Sequence, residues 1–117
     1  MQKTNPVLKK TVSKLEEKGR KEDLAIWRDL AQRLKKPNRK KSPVNISKIN
    51  RHAEEGETVV VPGKVTGYGS LDKDINVAAF SFSKSAKEKL KETGKVMSIL
   101  ELVEENPEGE NVRIMEG

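Results

Sequence analysis

The segment Ile75–Phe82 constrains the fold of this chain more than any other. None of its eight side chains is charged. In a strand, successive side chains point to opposite faces, which places Ala78, Phe80 and Phe82 on one face and Val77 and Ala79 on the other. A strand that is apolar on both faces is normally covered on both. The sequence therefore predicts a mixed α/β core in which this strand is central.

Other strand patterns lie around it in the second half of the chain. Thr58–Val61 is a β-branched run, which is typical of a strand. Pro62 and Gly63 suit the centre of a type II turn, after which Lys64–Thr66 can resume the strand. Shorter strands are expected at Val96–Met97 and Asn111–Met115.

Helix-capping patterns separate these strands. Ser85–Glu88 and Ser98–Glu101 both fit the capping box, in which Ser caps the helix and Glu three residues later returns the contact. The two patterns predict one helix that ends near Gly94 and another that ends before Pro107.

The first half of the chain is predicted to be mostly helical. Thr4, Asn5 and Pro6 form a helix start, and Gly19 can end that helix. A second helix is expected from about Glu22 to Lys36. Its apolar face includes Trp27, which we interpret as a core anchor, and Pro37 stops it. A short third helix follows at Ile46–Ala53, with Asn45 or Ser47 as its cap.

A chain of 117 residues is expected to form a single domain. We divide it into a basic, mostly helical N-terminal part (1–53) and a compact α/β core (54–117). No cysteine is present, which excludes disulfides and thiolate metal ligands and fits a reducing cytoplasm. The apolar runs are too short for a membrane span, and no signal-peptide pattern precedes them.

Positive charge is concentrated in the first half. Residues 1–52 hold 16 Lys and Arg against 5 Asp and Glu, whereas residues 53–117 hold 8 against 13. The densest run is Lys35–Lys41, with five cations and no acid. Such a run gains free energy by releasing the counterions of a polyanion. Nucleic acid is the first partner to consider and a membrane surface the second, but charge alone does not distinguish RNA from DNA.

Candidate contacts extend from this run to neighbouring polar and glycine-rich segments. The candidate RNA-binding residues are Lys35, Lys36, Asn38, Arg39, Lys40, Lys41, Asn45, Lys48, Arg51, His52, Lys64 and Tyr68. The glycines of segment 62–70 either make turns between strands or allow the backbone to approach RNA closely. In the second case Lys64 would contact phosphate and Tyr68 would be available for stacking. The spacing does not fit a nucleotide-binding phosphate loop.

Catalytic and metal chemistry find little support in the sequence. His52 is the one histidine, and without cysteine it can form neither a zinc site nor a catalytic triad easily. Asp72 and Asp74 could hold Mg²⁺ in a metal-dependent enzyme, although turn chemistry explains them better. The glutamates of 101–110 either meet a basic neighbouring protein or form a solvated face. We predict no enzyme activity, no cofactor and no small-molecule substrate.

Several stretches in order along the chain resemble the archaeal form of the large-subunit ribosomal protein family eighteen-e, a relative of bacterial large-subunit protein fifteen. They are Thr4–Pro6, Trp27, the Lys36–Lys40 loop, Val44–Ile49, Glu57–Gly67, Asn76–Phe80, Glu105–Gly109 and Val112–Ile114. The most specific is the Val-Pro-Gly-Lys segment within Glu57–Gly67.

The resemblance implies an irregular superhelical core of strand-strand-helix turns preceded by helices. It also implies a cytoplasmic constituent of the 50S-type subunit that binds 23S-type rRNA beside other large-subunit proteins. RNA-facing positions would be the basic loop, Val44–Arg51 and Pro62–Tyr68. The alternative is an architectural DNA- or RNA-binding protein outside the ribosome.

Overall fold

The computed structural model describes residues 6–21, 24–35 and 43–116, and in these ranges the chain forms five helices and five strands. The helices are α1 (Pro6–Lys21), α2 (Ala25–Leu34), α3 (Ile46–His52), α4 (Lys84–Thr93) and α5 (Ile99–Glu105). The strands are β1 (Val44–Asn45), β2 (Thr58–Thr66), β3 (Asn76–Phe82), β4 (Val96–Ser98) and β5 (Val112–Ile114). All strand pairs are parallel, in the order β1-β2-β3-β4, and β5 also pairs with β2. The predicted mixed α/β class is confirmed.

The sheet is apolar on both faces, as the sequence of β3 predicted. On one face Val77 and Ala79 pack in a cluster with α3 and α4. On the other face Ala78 packs in a second cluster with α1, α2 and α5. Phe82 was predicted to share the face of Ala78, and this was wrong, because it packs against the first cluster. It pairs with Val65 beyond a bulge in β2, and bulges increase the local twist of a strand.

The turn predicted at Pro62 and Gly63 does not form. Both residues lie inside the continuous nine-residue strand β2, where its register with β3 shifts between Val61 and Lys64. On the other edge of β2, this position separates the part paired with β5 from the part paired with β1. A proline has no N–H to donate, and at this junction between partners none is required.

The helix ends of the first half differ from the prediction in two places. The first helix continues through Gly19 to Lys21, and Gly19 is buried against α2. A Cβ at Gly19 would lie 2.5 Å from Arg28 Cγ, so this glycine serves close helix packing instead of helix termination. The second helix is shorter than predicted and ends at Leu34. The other predicted helix boundaries fall on residues outside the described ranges: Thr4, Asn5, Glu22, Lys36 and Pro37.

One of the two predicted capping boxes is confirmed. Ser98 accepts a hydrogen bond from the Glu101 N–H and donates its own N–H to the Glu101 carboxylate. That backbone hydrogen bond from Ser98 holds the pKa of Glu101 below its ordinary value of 4.5. The other box was wrong, because α4 is capped by Ser83, whose Oγ accepts from the Ala86 N–H, and not by Ser85.

Two further predictions of local structure are confirmed. Asn45 caps α3 by accepting the Lys48 N–H. Trp27 is fully buried, and its Nε1 donates to the Pro107 carbonyl at 2.7 Å, so it anchors α2 to the chain after α5. The short strand β1, which includes Asn45 and directly precedes α3, was not predicted.

Candidate nucleic-acid interface

Several strand ends and helix starts meet at one end of the sheet. Because β1, β2 and β3 are parallel, their carboxyl ends lie together. Both α3 and α4 begin at this end, directly after β1 and β3. In open parallel sheets this is the edge at which ligands bind. We call residues 44–48, 64–69 and 83–89 the carboxyl-edge surface. It does not include the ends of β4 and β5, because these strands end earlier, at positions paired with Ala79 of β3 and Val60 of β2.

Four of the predicted RNA-binding residues lie on this surface: Asn45, Lys48, Lys64 and Tyr68. Asn45 is paired in register with Thr66, and the backbone N–H of Ser47 donates to the Tyr68 carbonyl at 3.2 Å. Lys64 lies at the end of β2, beside Ser81 of β3. The side chains of Lys64 and Tyr68 are exposed, and Asn45 is half-buried as a helix cap.

The carboxyl-edge surface is strongly cationic. It holds five lysines and one glutamate, a net charge of +4. Within the described ranges, the ammonium groups of Lys64, Lys84 and Lys87 have no hydrogen-bond or ion-pair partner. These three side chains are exposed. Their charge is therefore available to an external anion.

Two of these lysines also oppose the dipole of their own helix. Lys84 and Lys87 lie in the first turn of α4, which contains no acidic residue. The positive end of the helix dipole lies there, so cations at this position are unfavourable for the isolated helix. Their positive potential adds to that of the helix terminus, which makes the surface more attractive to phosphate.

The other end of the sheet has the opposite charge. We call residues 54–57, 73–76, 92–95 and 104–113 the amino-edge surface, and they hold nine acidic and three basic residues. All three cations there have partners within the chain. Arg113 pairs with Glu57 at 3.1 Å and Lys95 with Glu105 at 2.7 Å. The third, Lys73, donates to the Ala53 carbonyl at 3.0 Å.

The other predicted site residues lie away from the carboxyl-edge surface or bond inside the chain. Arg51 and His52 are exposed at the far end of α3. Lys48 belongs to the surface, but its ammonium donates to the Glu116 backbone carbonyl. Lys35 pairs with Glu16 of α1 at 2.6 Å. The remaining candidates, Lys36, Asn38, Arg39, Lys40 and Lys41, lie outside the described residues.

The lysines of α4 were not among the residues predicted from the sequence. The predicted cationic surface lay in the first half of the chain, whereas Lys84, Lys87 and Lys89 belong to the second. The available signal was their position directly after β3, because helices that follow parallel strands begin at the carboxyl edge.

The acidic residues considered for metal binding are turn and surface residues. Asp72 is exposed, and its backbone N–H donates to Asn50 Oδ1 at 3.2 Å. Asp74 is also exposed, and its carbonyl accepts from the Gly56 N–H at 2.8 Å. In the described ranges, no group of three or more acidic or histidine side chains is arranged to hold a metal ion. No helix in the same ranges is both long and apolar enough to cross a membrane.

Comparisons with a family profile and with individual known proteins identify the same family. A profile of the family described as "Ribosomal protein 60S L18 and 50S L18e" matches residues 3–117. The large ribosomal subunit protein eL18 of Methanothermobacter thermautotrophicus is 49% identical over 115 residues, which cover 97% of this chain and 95% of the relative.

Two further relatives carry the same name and cover almost the same span. The protein of Haloarcula marismortui is 46% identical over 115 residues, 98% of this chain and 99% of the relative. That of Archaeoglobus fulgidus is 47% identical over 116 residues, with 98% and 99% coverage. The chain therefore belongs to the family of ribosomal protein 60S L18 and 50S L18e, as its motifs indicated, and is a structural ribosomal protein without enzymatic activity.

Proposed function

We propose that this chain is a constituent of the large ribosomal subunit that binds large-subunit rRNA through the carboxyl-edge surface and the basic run at 35–41. The neighbouring partners are other proteins of the same subunit. The observation that carries the proposal is the concentration of unpaired lysines at the edge where β1, β2 and β3 end, in a chain of this family.

The mechanism is phosphate neutralisation by a preformed surface. Each lysine that meets a phosphate releases condensed counterions, and the released ions supply much of the binding free energy. The carboxyl-edge surface lies on strand ends and capped helices, so it loses little conformational freedom on binding. The acidic amino-edge surface lies at the opposite end of the same sheet. Its negative charge orients the molecule in the field of the RNA.

The test compares two variants that each remove two cations. Lys64→Ala/Lys84→Ala removes charge from the carboxyl-edge surface, and Lys95→Ala/Arg113→Ala removes it from the amino-edge surface. Affinity for full-length large-subunit rRNA is measured over a series of salt concentrations. If about eight cations contact phosphate in the native protein, log affinity falls against log salt with a slope of roughly −6 to −7.

We expect the carboxyl-edge variant to reduce the magnitude of this slope by about 1.4 to 1.8, because two phosphate contacts are lost. The amino-edge variant should leave the slope unchanged. Equal slopes for both variants and the native protein would contradict the proposal. Equal affinity of the native protein for rRNA and duplex DNA would instead favour an architectural role outside the ribosome.

A further inference from the structure

The side chain of Tyr68 is unusually exposed for a large aromatic residue. It is 77% exposed, and it is the one large hydrophobic side chain with high exposure in the described residues. It lies between Gly67 and Gly69 in the loop that follows β2. A single exposed aromatic residue needs no special explanation on a flexible loop. The backbone that carries Tyr68, however, is held by hydrogen bonds to α3 and α4.

Hydrogen bonds hold the loop to two helices. The Tyr68 carbonyl accepts from the Ser47 N–H at the start of α3. The ammonium of Lys89, on α4, donates to the Gly67 carbonyl at 2.8 Å and to the Gly69 carbonyl at 2.9 Å. One side chain thus bonds to the residues on both sides of Tyr68. The loop is fixed between α3 and α4 while the ring remains in solvent.

The two glycines allow this close approach. A Cβ on Gly67 would lie 2.8 Å from the Ala86 backbone nitrogen and would also meet the side chain of Ser85. Gly69 has a φ of +98°, which other residues rarely adopt, and a Cβ there would lie 2.5 Å from that of Ser47. The sequence Gly-Tyr-Gly therefore packs the backbone tightly and displays the ring.

The surroundings of the ring indicate what it contacts. The carboxyl-edge surface has five lysines and one glutamate around this loop. A cationic surface with one presented aromatic ring matches single-stranded nucleic acid, whose phosphates meet the lysines while an unstacked base lies on the ring. A protein partner would have to be acidic and to supply an apolar contact at the same point. Every nucleotide carries both a phosphate and a base with a π-face, so a single-stranded nucleic acid supplies both features in each repeating unit.

We propose that Tyr68 stacks on one unpaired nucleobase of the rRNA and that Lys89 is a positioning residue that fixes the loop for this contact. The inference rests on the proposed function of the carboxyl-edge surface and deepens it. It distinguishes recognition of a nucleotide outside a duplex from general attraction to phosphate.

The first experiment measures the affinity of Tyr68→Phe, Tyr68→Leu and Tyr68→Ala for full-length large-subunit rRNA at fixed salt. Phe keeps the ring and Leu keeps apolar contact without it. We expect Phe to bind within about twofold of the native protein and Leu and Ala about tenfold more weakly, as stacking contributions imply. Ultraviolet irradiation should crosslink Tyr68 to one nucleotide, and chemical probing of the free rRNA should show that nucleotide unpaired.

Other outcomes overturn the inference. If Leu binds as well as Phe, the contact is apolar and not stacking. If all three variants bind rRNA like the native protein but fail to join large subunits, Tyr68 contacts a protein. In either case Lys64→Ala/Lys84→Ala still tests the proposed function separately, because that variant leaves the ring in place.

The second experiment separates the positioning role of Lys89 from its charge. Lys87 is the matched control, since it lies on the same helix, has the same charge and makes no ammonium contact within the described part of the chain. We expect Lys89→Ala to weaken binding several-fold more than Lys87→Ala. The additional loss should disappear when Tyr68 is already Ala, as a double-mutant cycle shows. Equal and additive losses would make Lys89 one more phosphate contact and overturn its positioning role.

Discussion

The two ends of the sheet carry opposite net charge, and they differ in whether their cations are paired within the chain. At the amino-edge surface all three cations are paired within the chain, among them Arg113 with Glu57 and Lys95 with Glu105. At the carboxyl-edge surface Lys64, Lys84 and Lys87 have no partner in the described ranges. Exposed ion pairs contribute little to stability, so pairing mainly decides which charges remain available to another molecule. The comparison indicates that one edge pairs its cations within the chain, whereas the other leaves three of them available to another molecule.

The helix termini strengthen this contrast. The first turn of α4 carries Lys84 and Lys87, and the last turn of α5 carries Glu104 and Glu105 without a basic residue. Both arrangements oppose the favourable placement of charges along a helix dipole. They make the carboxyl edge more positive and the amino edge more negative than the backbone alone would. Departures from a local stability rule are expected where function requires them.

The largest effect is expected outside the described residues. Replacing Arg39, Lys40 and Lys41 together by Ala removes three cations from the densest basic run. The salt slope for rRNA binding should decrease in magnitude by about 2 to 3. The thermal midpoint should hardly change, because the sequence predicts an exposed loop here and exposed cations contribute little to folding.

The same experiment tests whether the carboxyl-edge surface contributes to RNA binding. The losses from this triple variant and from Lys64→Ala/Lys84→Ala should add, because they concern different phosphates. If the triple variant removes all salt dependence and the carboxyl-edge variant removes none, the unpaired lysines of the strand ends are not the RNA surface. A large fall in the thermal midpoint would place the run in the packing of the protein itself.

The second prediction concerns how tightly the carboxyl edge is built. Gly67→Ala should lower the free energy of unfolding by about 1 to 3 kcal/mol, because the added Cβ would lie 2.8 Å from the Ala86 nitrogen and has no room. Gly63 is the matched control. A Cβ there meets nothing within 4 Å, so Gly63→Ala should be neutral or stabilising by about 0.4 to 1 kcal/mol. Chemical denaturation measures both, and equal stability of the two variants would mean that the Gly67 loop is loosely packed.

The sequence predicts the elements of this fold better than their junctions. The strand at 75–82 and the cap at Ser98 depend on local patterns, and both are present. Gly19 and Pro62 were misinterpreted because each acts through a tertiary neighbour, Gly19 through the close approach of α2 and Pro62 through a change of strand partners. No local pattern reports such neighbours.

The candidate site shows the same limit. Lys64 and Tyr68 were predicted from their own segment, which carries a cation and an aromatic residue among glycines. The lysines of α4 lie about 20 residues further along the chain, as Lys89 does from Gly69. They reach the same surface only because the strands before them are parallel. Contacts that depend on sheet topology require the fold before they can be assigned.

The smallest predicted effect is a gain in stability that is accompanied by a loss of rRNA binding. Lys84→Glu should raise the free energy of unfolding by about 0.3 to 1 kcal/mol, because an acid in the first turn of α4 complements the helix dipole. The same change should weaken rRNA binding, because it replaces an unpaired cation with an anion. Lys91→Glu, in the last turn of α4, is the control and should lower stability slightly.

Denaturation curves and rRNA titrations on these two variants give both signs, and low ionic strength makes the dipole effect easier to resolve. A stability gain at Lys84 together with a loss of binding means that this lysine is kept for its ligand at a cost to the helix. If Lys84→Glu lowers stability instead, an unrecognised contact of Lys84 with the protein accounts for its position. In that case Lys84 is not an unpaired cation, and the contrast between the two ends of the sheet does not hold for this residue.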